Sequence, residues 1–465
     1  MWYMVTVPAD GKSWGMRQHT SAFLALLLSL GAVAAAAAPS SAQSPVPALE
    51  RNAHALRTTE PRGNLDDLRP LGRMVKDARV VGLGEATHSS HEFFAMKHRV
   101  FRYLVEEKGF RSFALEGSWS TGLRLNDYVL HGKGDPRQIM REEFQSNYSW
   151  WNNTDYLNLL TWMRSYNSRH PRDPVQFMGD DFGYAGPELY DRVTGYVAKT
   201  HPALLPRFAE LYRGLRPTTT VDAHINGYLK RPLAERKAIA DRTGRALNLL
   251  KRQQPGAGSG GGEAHAWAVQ HATAIDQTAR GYAFDVDDPR QGAAAMRYRD
   301  AVMADNVAWW QKHTGDKTLL SAHDGHVALR THDPKHYPKV QGSFLRDTLG
   351  TRYVSIGMTF DRGSFNATGA DGQVRAFTVG PAKPGSNEYT LDRVRHRDYV
   401  LDLRTAPPAA RTWLATARMT KTIGTAYPGP GTEYRIALAR SHDIVVHLHR
   451  VRAARLLTAP APAGK

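Results

Sequence analysis

The sequence predicts an α/β fold: a mostly parallel sheet with helices on both faces and a helical insertion placed as a lid on one rim. Three observations lead there. Arg79 to Gly117 reads as strand, turn, helix, strand, the unit from which parallel sheets are built. Four apolar strands in separate parts of the chain each end in acids or histidines, and a parallel sheet gathers such ends on one rim, where ligands bind. Residues 186 to 296 then change character to long charged helical stretches, placed on that rim as an insertion.

Composition allows a fold of this size. The chain has 465 residues, 42% hydrophobic and 9% aromatic, enough for a large core. Its formal net charge is +17, but Lys and Arg are scattered rather than clustered in runs, so a solvated surface is expected and no nucleic-acid partner. The absence of cysteine excludes disulfides, thiolate metal sites and a thiol nucleophile.

In chain order, Lys12 and Arg17 precede an apolar run from Ala22 to Ala38, and Ser40-Ser41-Ala42 offers small residues for cleavage. Residues 1–42 are therefore expected to be a signal peptide, with Met16 as an alternative start. An uncleaved anchor is the competing reading; Pro39 and the small residues after the run favour a peptidase. A secreted or extracytoplasmic protein follows, without stable membrane association once the signal is removed. Residues 43–78 form an entry segment in which Leu65, Leu68, Leu71 and Met74 have helical spacing.

The first part of the core spans 79–185. Val80, Val81 and Leu83 make a strand that stops at Gly84-Glu85-Ala86-Thr87-His88. Ser89 with Glu92 has the pattern of a capping box. Phe93, Lys97, Val100, Phe101 and Leu104 follow at helical spacing until Gly109. Phe113 to Leu115 is the next strand, followed by Glu116, and a helix continues to Leu130. Tyr156, Leu159, Leu160, Met163 and Tyr166 share a helix face capped by Asn153 or Thr154. Val175 to Met178 is a third strand, ending in Asp180 and Asp181. The insertion, 186–296, contains a glycine run from 255 to 262 that lacks the framing of a phosphate loop and is read as a flexible loop. The second part of the core, 297–455, brings a helix from Arg299 to Lys312 with Met303, Val307 and Trp310 on one side. A strand from Thr318 to Ala322 follows, ending in His323-Asp324-Gly325-His326. Further strands are expected at Tyr353 to Met358, Tyr399 to Leu403 and Ile444 to His449. Residues 456–465, Pro/Ala-rich from Thr458, are expected to be a disordered tail.

One acid after a strand is ordinarily a cap or turn residue. Recurrence at the ends of four strands points instead to chemistry at Glu85, His88, Glu116, Asp180, His323 and His326. His88 precedes a helix start, where the positive end of the dipole disfavours imidazolium and leaves a ring able to accept a proton. Glu85 or Glu116 could fix its tautomer. Lys97 lies on the apolar face of its helix, so its charge should turn inward and meet Glu116 or Glu85. His323 and His326 offer a second proton-transfer group and an oxyanion stabiliser, or, with Glu85, His88 and Glu116, ligands for a divalent metal. Tyr148, Trp150, Trp151 and Asn152 are candidates to line an apolar pocket with one amide, and Asp180 to contact substrate. No nucleophile elbow surrounds Ser89 or Ser90, and His91-Glu92 lacks the second histidine of a zincin helix.

Gly84-Glu85-Ala86-Thr87-His88 with Glu92-Phe93-Phe94, then Ala114-Leu115-Glu116, then Ala322-His323-Asp324-Gly325-His326, resemble successive blocks of the erythromycin esterase family. Arg299-Asp300 with Met303 to Asn306, Phe360 to Phe365 and Tyr399 to Arg404 extend the similarity in order over about residues 55 to 452. The resemblance implies a deep cleft in which a histidine activates water to open a macrolactone ester. Carried over by position, His88 is the general base, Glu85 and Glu116 its acidic partners, and His323 the second essential histidine, with His326 close by. It implies no cofactor and a small-molecule ester or macrolide as substrate. Lys97 stands where macrolide-opening members often have Arg, and Asp324 where Asn is common. A divalent metal held by Glu85, His88, Glu116 and His323, or a secreted binder of a macrocycle or polysaccharide without turnover, are the alternatives.

Overall fold

A computed structural model describes residues 44–457 except Ala257, Ser259 and Thr432; the expected signal peptide and the tail from Thr458 lie outside the described residues. In chain order the strands are β1 (Ala53–Ala55), β2 (Val80–Leu83), β3 (Phe110–Ser118), β4 (Gln176–Asp181), β5 (Lys317–Ser321) and β6 (Tyr353–Thr368). They continue with β7 (Val374–Val379), β8 (Tyr399–Asp402), β9 (Arg418–Thr420), β10 (Tyr434–Ile436) and β11 (Ile444–Val451). One sheet runs in the order β1-β8-β11-β6-β2-β5-β3-β4, with β7 folded back on the second half of β6. From β11 to β4 every neighbour is parallel; β8, β1 and β7 pair antiparallel. The α/β expectation thus holds. The strands it omitted are the short antiparallel edge β1, the exposed β7 and the separate β9–β10 ribbon.

Burial on both faces explains why the central strands are continuous apolar runs. All of Val80 to Leu83 is buried in β2, and the core extends through Phe101, Phe113, Phe177 and Leu319. Helix His91–Lys108 follows β2 and ends at Gly109, whose φ of 69° is the left-handed conformation that glycine adopts without a Cβ penalty. The expected capping box is not formed. The N-cap is Ser90, Ser89 Oγ accepts from Asn366 Nδ2, and Glu92 instead holds the backbone N (2.6 Å) and Nε (2.7 Å) of Arg452. The C-terminal segment crossing this helix start is the reason: it competes for Glu92. Asn153 does cap helix Thr154–Arg169, accepting from the amides of Asp155 and Tyr156.

The strands at the rim run longer than the sequence suggested. Glu116 lies within β3 and Asp180 and Asp181 within β4, because Ser118 still pairs with Asp181 past a register shift. Between β4 and β5 the chain is helical. The boundary placed at 296 falls inside one helix, Pro289–Thr314, and the described residues from Pro45 onward pack as one unit. Thr278 and Tyr282, at the end of helix Gly261–Gly281, donate to the carbonyls of Phe182 and Gly183, which brings the insertion to the β4 end of the rim. The tail boundary also moves: Leu456 bridges Asn153, and Leu457 N donates to Asn152 O at 2.8 Å. No described helix is long and apolar enough to cross a membrane.

Candidate active site

Three adjacent strands, β2, β5 and β3, deliver the chemistry at their carboxyl ends. Leaving β2, the chain turns at Gly84, where a Cβ would fall on Asp324 Oδ1, so the close approach of the two turns requires glycine. Glu85 follows, fully buried. Its Oε1 lies 2.8 Å from His88 Nδ1, and its Oε2 accepts from Lys97 Nζ. Lys97, 1% exposed, also donates to Ser321 Oγ (3.0 Å) and Ala322 O (3.1 Å). The inward cation therefore chooses Glu85, not Glu116. With Glu85 ionised by Lys97, His88 Nδ1 carries the proton and Nε2 is the nitrogen that can accept one.

His323 faces His88, ring centroids 4.9 Å apart. Its Nδ1 accepts from Gly325 N at 3.2 Å, which places the ring proton on Nε2, and Nε2 is buried with no hydrogen-bond partner among the described residues. Burial first, then the neighbouring His88, holds its pKa well below the ordinary imidazole value. His323 is thus a neutral ring whose Nε2–H is an uncommitted donor beside His88.

Behind these rings lies a buried ion network. Arg299, on helix Pro289–Thr314, donates to Glu116 Oε1 (2.8 Å) and to Asp181 Oδ2 (2.7 and 2.9 Å), and its third nitrogen is 3.1 Å from His326 Nε2. The other Glu116 oxygen accepts from His323 N at 3.0 Å. Burial alone would raise the Glu116 pKa; His326, His88 and Arg299 outweigh it and hold the carboxylate well below its usual range. His326 Nδ1 is 2.7 Å from Asp300, and despite burial Asp300 and Glu116 pull its pKa up. Protonated, His326 can donate to Glu116 at 3.4 Å; deprotonated, it accepts from Arg299.

Of the residues predicted from sequence, Glu85, His88, Lys97, Glu116, His323 and His326 come together. Trp151 joins them, its ring edge-on to His88 at 5.7 Å and 2% exposed. Asn152 turns elsewhere, its Nδ2 reaching Leu457 O at 3.4 Å. Asp180 is fully buried, with Oδ2 accepting from Gln341 at 2.6 Å, and burial beside Asp181 raises its pKa well above the carboxylate range. Arg299 was missed as a site residue. It shares a helix face with Met303 and Val307, the signal of an inward cation that singled out Lys97. Tyr156, whose OH is 2.8 Å from Ser321 Oγ, carries in the sequence only the helical spacing of a core residue.

The set considered for a metal is not arranged as ligands: each carboxylate oxygen of Glu85 and Glu116 already faces a donor from Lys97, His88, Arg299 or His323. Among the described residues the group with metal-ligand spacing is Asp361, within β6, His449, within β11, and Asp392, just after the short helix Asn387–Leu391. There His449 Nδ1 is 2.7 Å from Asp392 and its Nε2 is 3.3 Å from Arg362.

A family model described as erythromycin esterase matches residues 105–451. Among curated proteins, erythromycin esterase type II of Escherichia coli is 34% identical over 125 residues, 27% of this chain and 28% of that protein. The putative hydrolase YbfO of Bacillus subtilis is 29% identical over 133 residues, 29% of this chain and 28% of that protein. The chain thus aligns with less than a third of the length of either relative. Among solved structures, a Bacillus cereus protein has a TM-score of 0.80 at 32% identity, covering 89% of this chain and 98% of its own. A succinoglycan biosynthesis protein has 0.78 at 30%, with the same coverage. A mutant of erythromycin esterase EreC in its open conformation has 0.65 at 17%, over 87% and 99% of the two chains, a likeness of fold.

Proposed function

Because the chain belongs to the erythromycin esterase family, a membership that supports a hydrolase, we propose that it hydrolyses a carboxylic ester, a macrolactone or a related ester, with water activated by His88. The observation that carries this reading is the pairing of two neighbouring imidazoles in opposite states of readiness. His88 has Nδ1 committed to Glu85 and Nε2 able to accept, while His323 has Nδ1 committed to Gly325 N and Nε2–H able to donate. One ring can take a proton from water as the oxygen attacks the ester carbonyl; the other can hold the developing oxyanion or protonate the departing alkoxide. Glu85, charged by its contact with Lys97, stabilises the His88 cation formed in that step. Trp151 supplies an apolar wall against His88. The helical insertion, reaching the end of β4 through Thr278 and Tyr282, is read as the cover of the cleft.

We take the reaction as metal-independent, since the buried cations Lys97 and Arg299 occupy the carboxylates a metal would need. Export through the segment before Pro39 is part of the same proposal and would place the substrate outside the cytoplasm. The test is mass spectrometry of a 14-membered macrolactone and a panel of simple esters incubated with purified protein, with and without chelator. Addition of one water to at least one ester, unaffected by chelator, is expected. No hydrolysis of any of them rules the reading out.

A further inference from the structure

Next to Trp151 the surface holds a second feature that the reaction leaves unused. A cavity of about 340 Å³ is lined by Arg137 and Arg141, one turn apart on helix Pro136–Glu143, by Arg455, and by Asn152, Thr154 and Leu457. None of the three guanidinium groups forms an ion pair with a described carboxylate. Of the acids nearest in sequence to this helix pair, Asp135 caps the helix by accepting from Gln138 N, and Glu142 and Glu143 are held by Arg124. Like charges at i and i+4 on a helix destabilise it, and a third arginine brought to the same hollow adds to that cost. Three uncompensated cations converging on one concave surface are what an anion needs, and arginine binds carboxylate or phosphate through a two-pronged contact.

The cavity is built from the strands of chain that carry the candidate site. Ala454 N donates to Ser89 O (3.1 Å), one residue after His88, and Thr154 N donates to Arg455 O (3.0 Å). Leu457 N donates to Asn152 O, directly after Trp151.

We propose that this cavity is a subsite for an anionic group, carboxylate or phosphate, carried by the ester that His88 attacks. The inference rests on the ester-hydrolase reading for its kinetic arm and is independent of it for its binding arm. Citrate and inorganic phosphate are titrated by calorimetry into wild type and into the double variant Arg141→Gln/Arg455→Gln, and kcat/KM is measured for 4-nitrophenyl acetate and mono-4-nitrophenyl succinate. Binding of one or both anions, weakened about tenfold or more per guanidinium removed, is expected. The succinate ester should be preferred by wild type, and the double variant should lose that preference while keeping its rate on the acetate. Which anion binds more tightly tells carboxylate from phosphate. If neither binds wild type, the anion site is refuted whatever the kinetics. If anions bind but the ester preference is unchanged by the substitutions, the subsite assignment fails. If no ester turns over, the hydrolase reading falls and the titration alone decides the anion site.

Discussion

Replacing Lys97 by Met tests the contact on which the charge state of the whole site depends. Lys97 is 1% exposed and Glu85 fully buried, and the other Glu85 oxygen faces His88 at 2.8 Å. Removing one partner of a buried ion pair leaves an uncompensated charge and costs about 3–5 kcal/mol. Glu85 can escape much of that cost by taking up a proton. At neutral pH a protonated Glu85 no longer stabilises the His88 cation, and kcat should fall by about 10² or more. The double variant Lys97→Met/Glu85→Gln removes both charges and should recover most of the stability, but none of the activity. Urea denaturation with ester hydrolysis on the same preparations reads both quantities. A Lys97→Met protein with wild-type kcat, or a double variant less stable than the single one, would refute the coupling of Lys97 through Glu85 to His88.

Other substitutions separate the remaining roles. His323→Ala should lower kcat by about 10² to 10³ with little change in KM, as for loss of an oxyanion donor; a pure KM effect in steady-state kinetics would assign it to binding instead. Arg299→Lys keeps the charge but not the fork between Glu116 and Asp181, and urea denaturation should show a loss of roughly 2 kcal/mol or more per charged hydrogen bond forfeited. Asp324 is pushed up to about 8 by burial, against the opposing Met358 N and Lys97. A folded value above the unfolded one means that its contribution to stability is complete below about pH 4 and is lost as pH rises toward 8. Asp324→Asn removes that titration, so its stability relative to wild type should climb between pH 5 and pH 8, by up to roughly 1.4 kcal/mol per pH unit. Parallel stability profiles for the two proteins would contradict this.

Much of this site was legible because its signals are local and periodic. A lysine on the apolar face of a helix has to find a buried acid, and Lys97 did. A strand followed by an acid and a histidine puts both at the sheet rim, and β2 and β5 meet there side by side. The sequence could not say which acid Lys97 would meet, because Glu85 and Glu116 stand at the ends of β2 and β3, separated by β5. Arg299 carried the same inward-cation signal as Lys97 but sat at the seam between insertion and core, where the assumed boundary at 296 hid a continuous helix. The capping box failed for a reason no local pattern contains: Glu92 is claimed by Arg452, 360 residues away in sequence. Asn152 lines the arginine cavity, because the segment that draws it there comes from the far end of the chain.

The most direct test of His88 as the base is ester hydrolysis by His88→Ala beside wild type, with melting temperature recorded for both. A general base contributes about 10² to 10⁴ in rate, so a loss of that size in kcat/KM without loss of folding is expected. A folded His88→Ala protein that hydrolyses the same ester at the wild-type rate would contradict the mechanism at its centre.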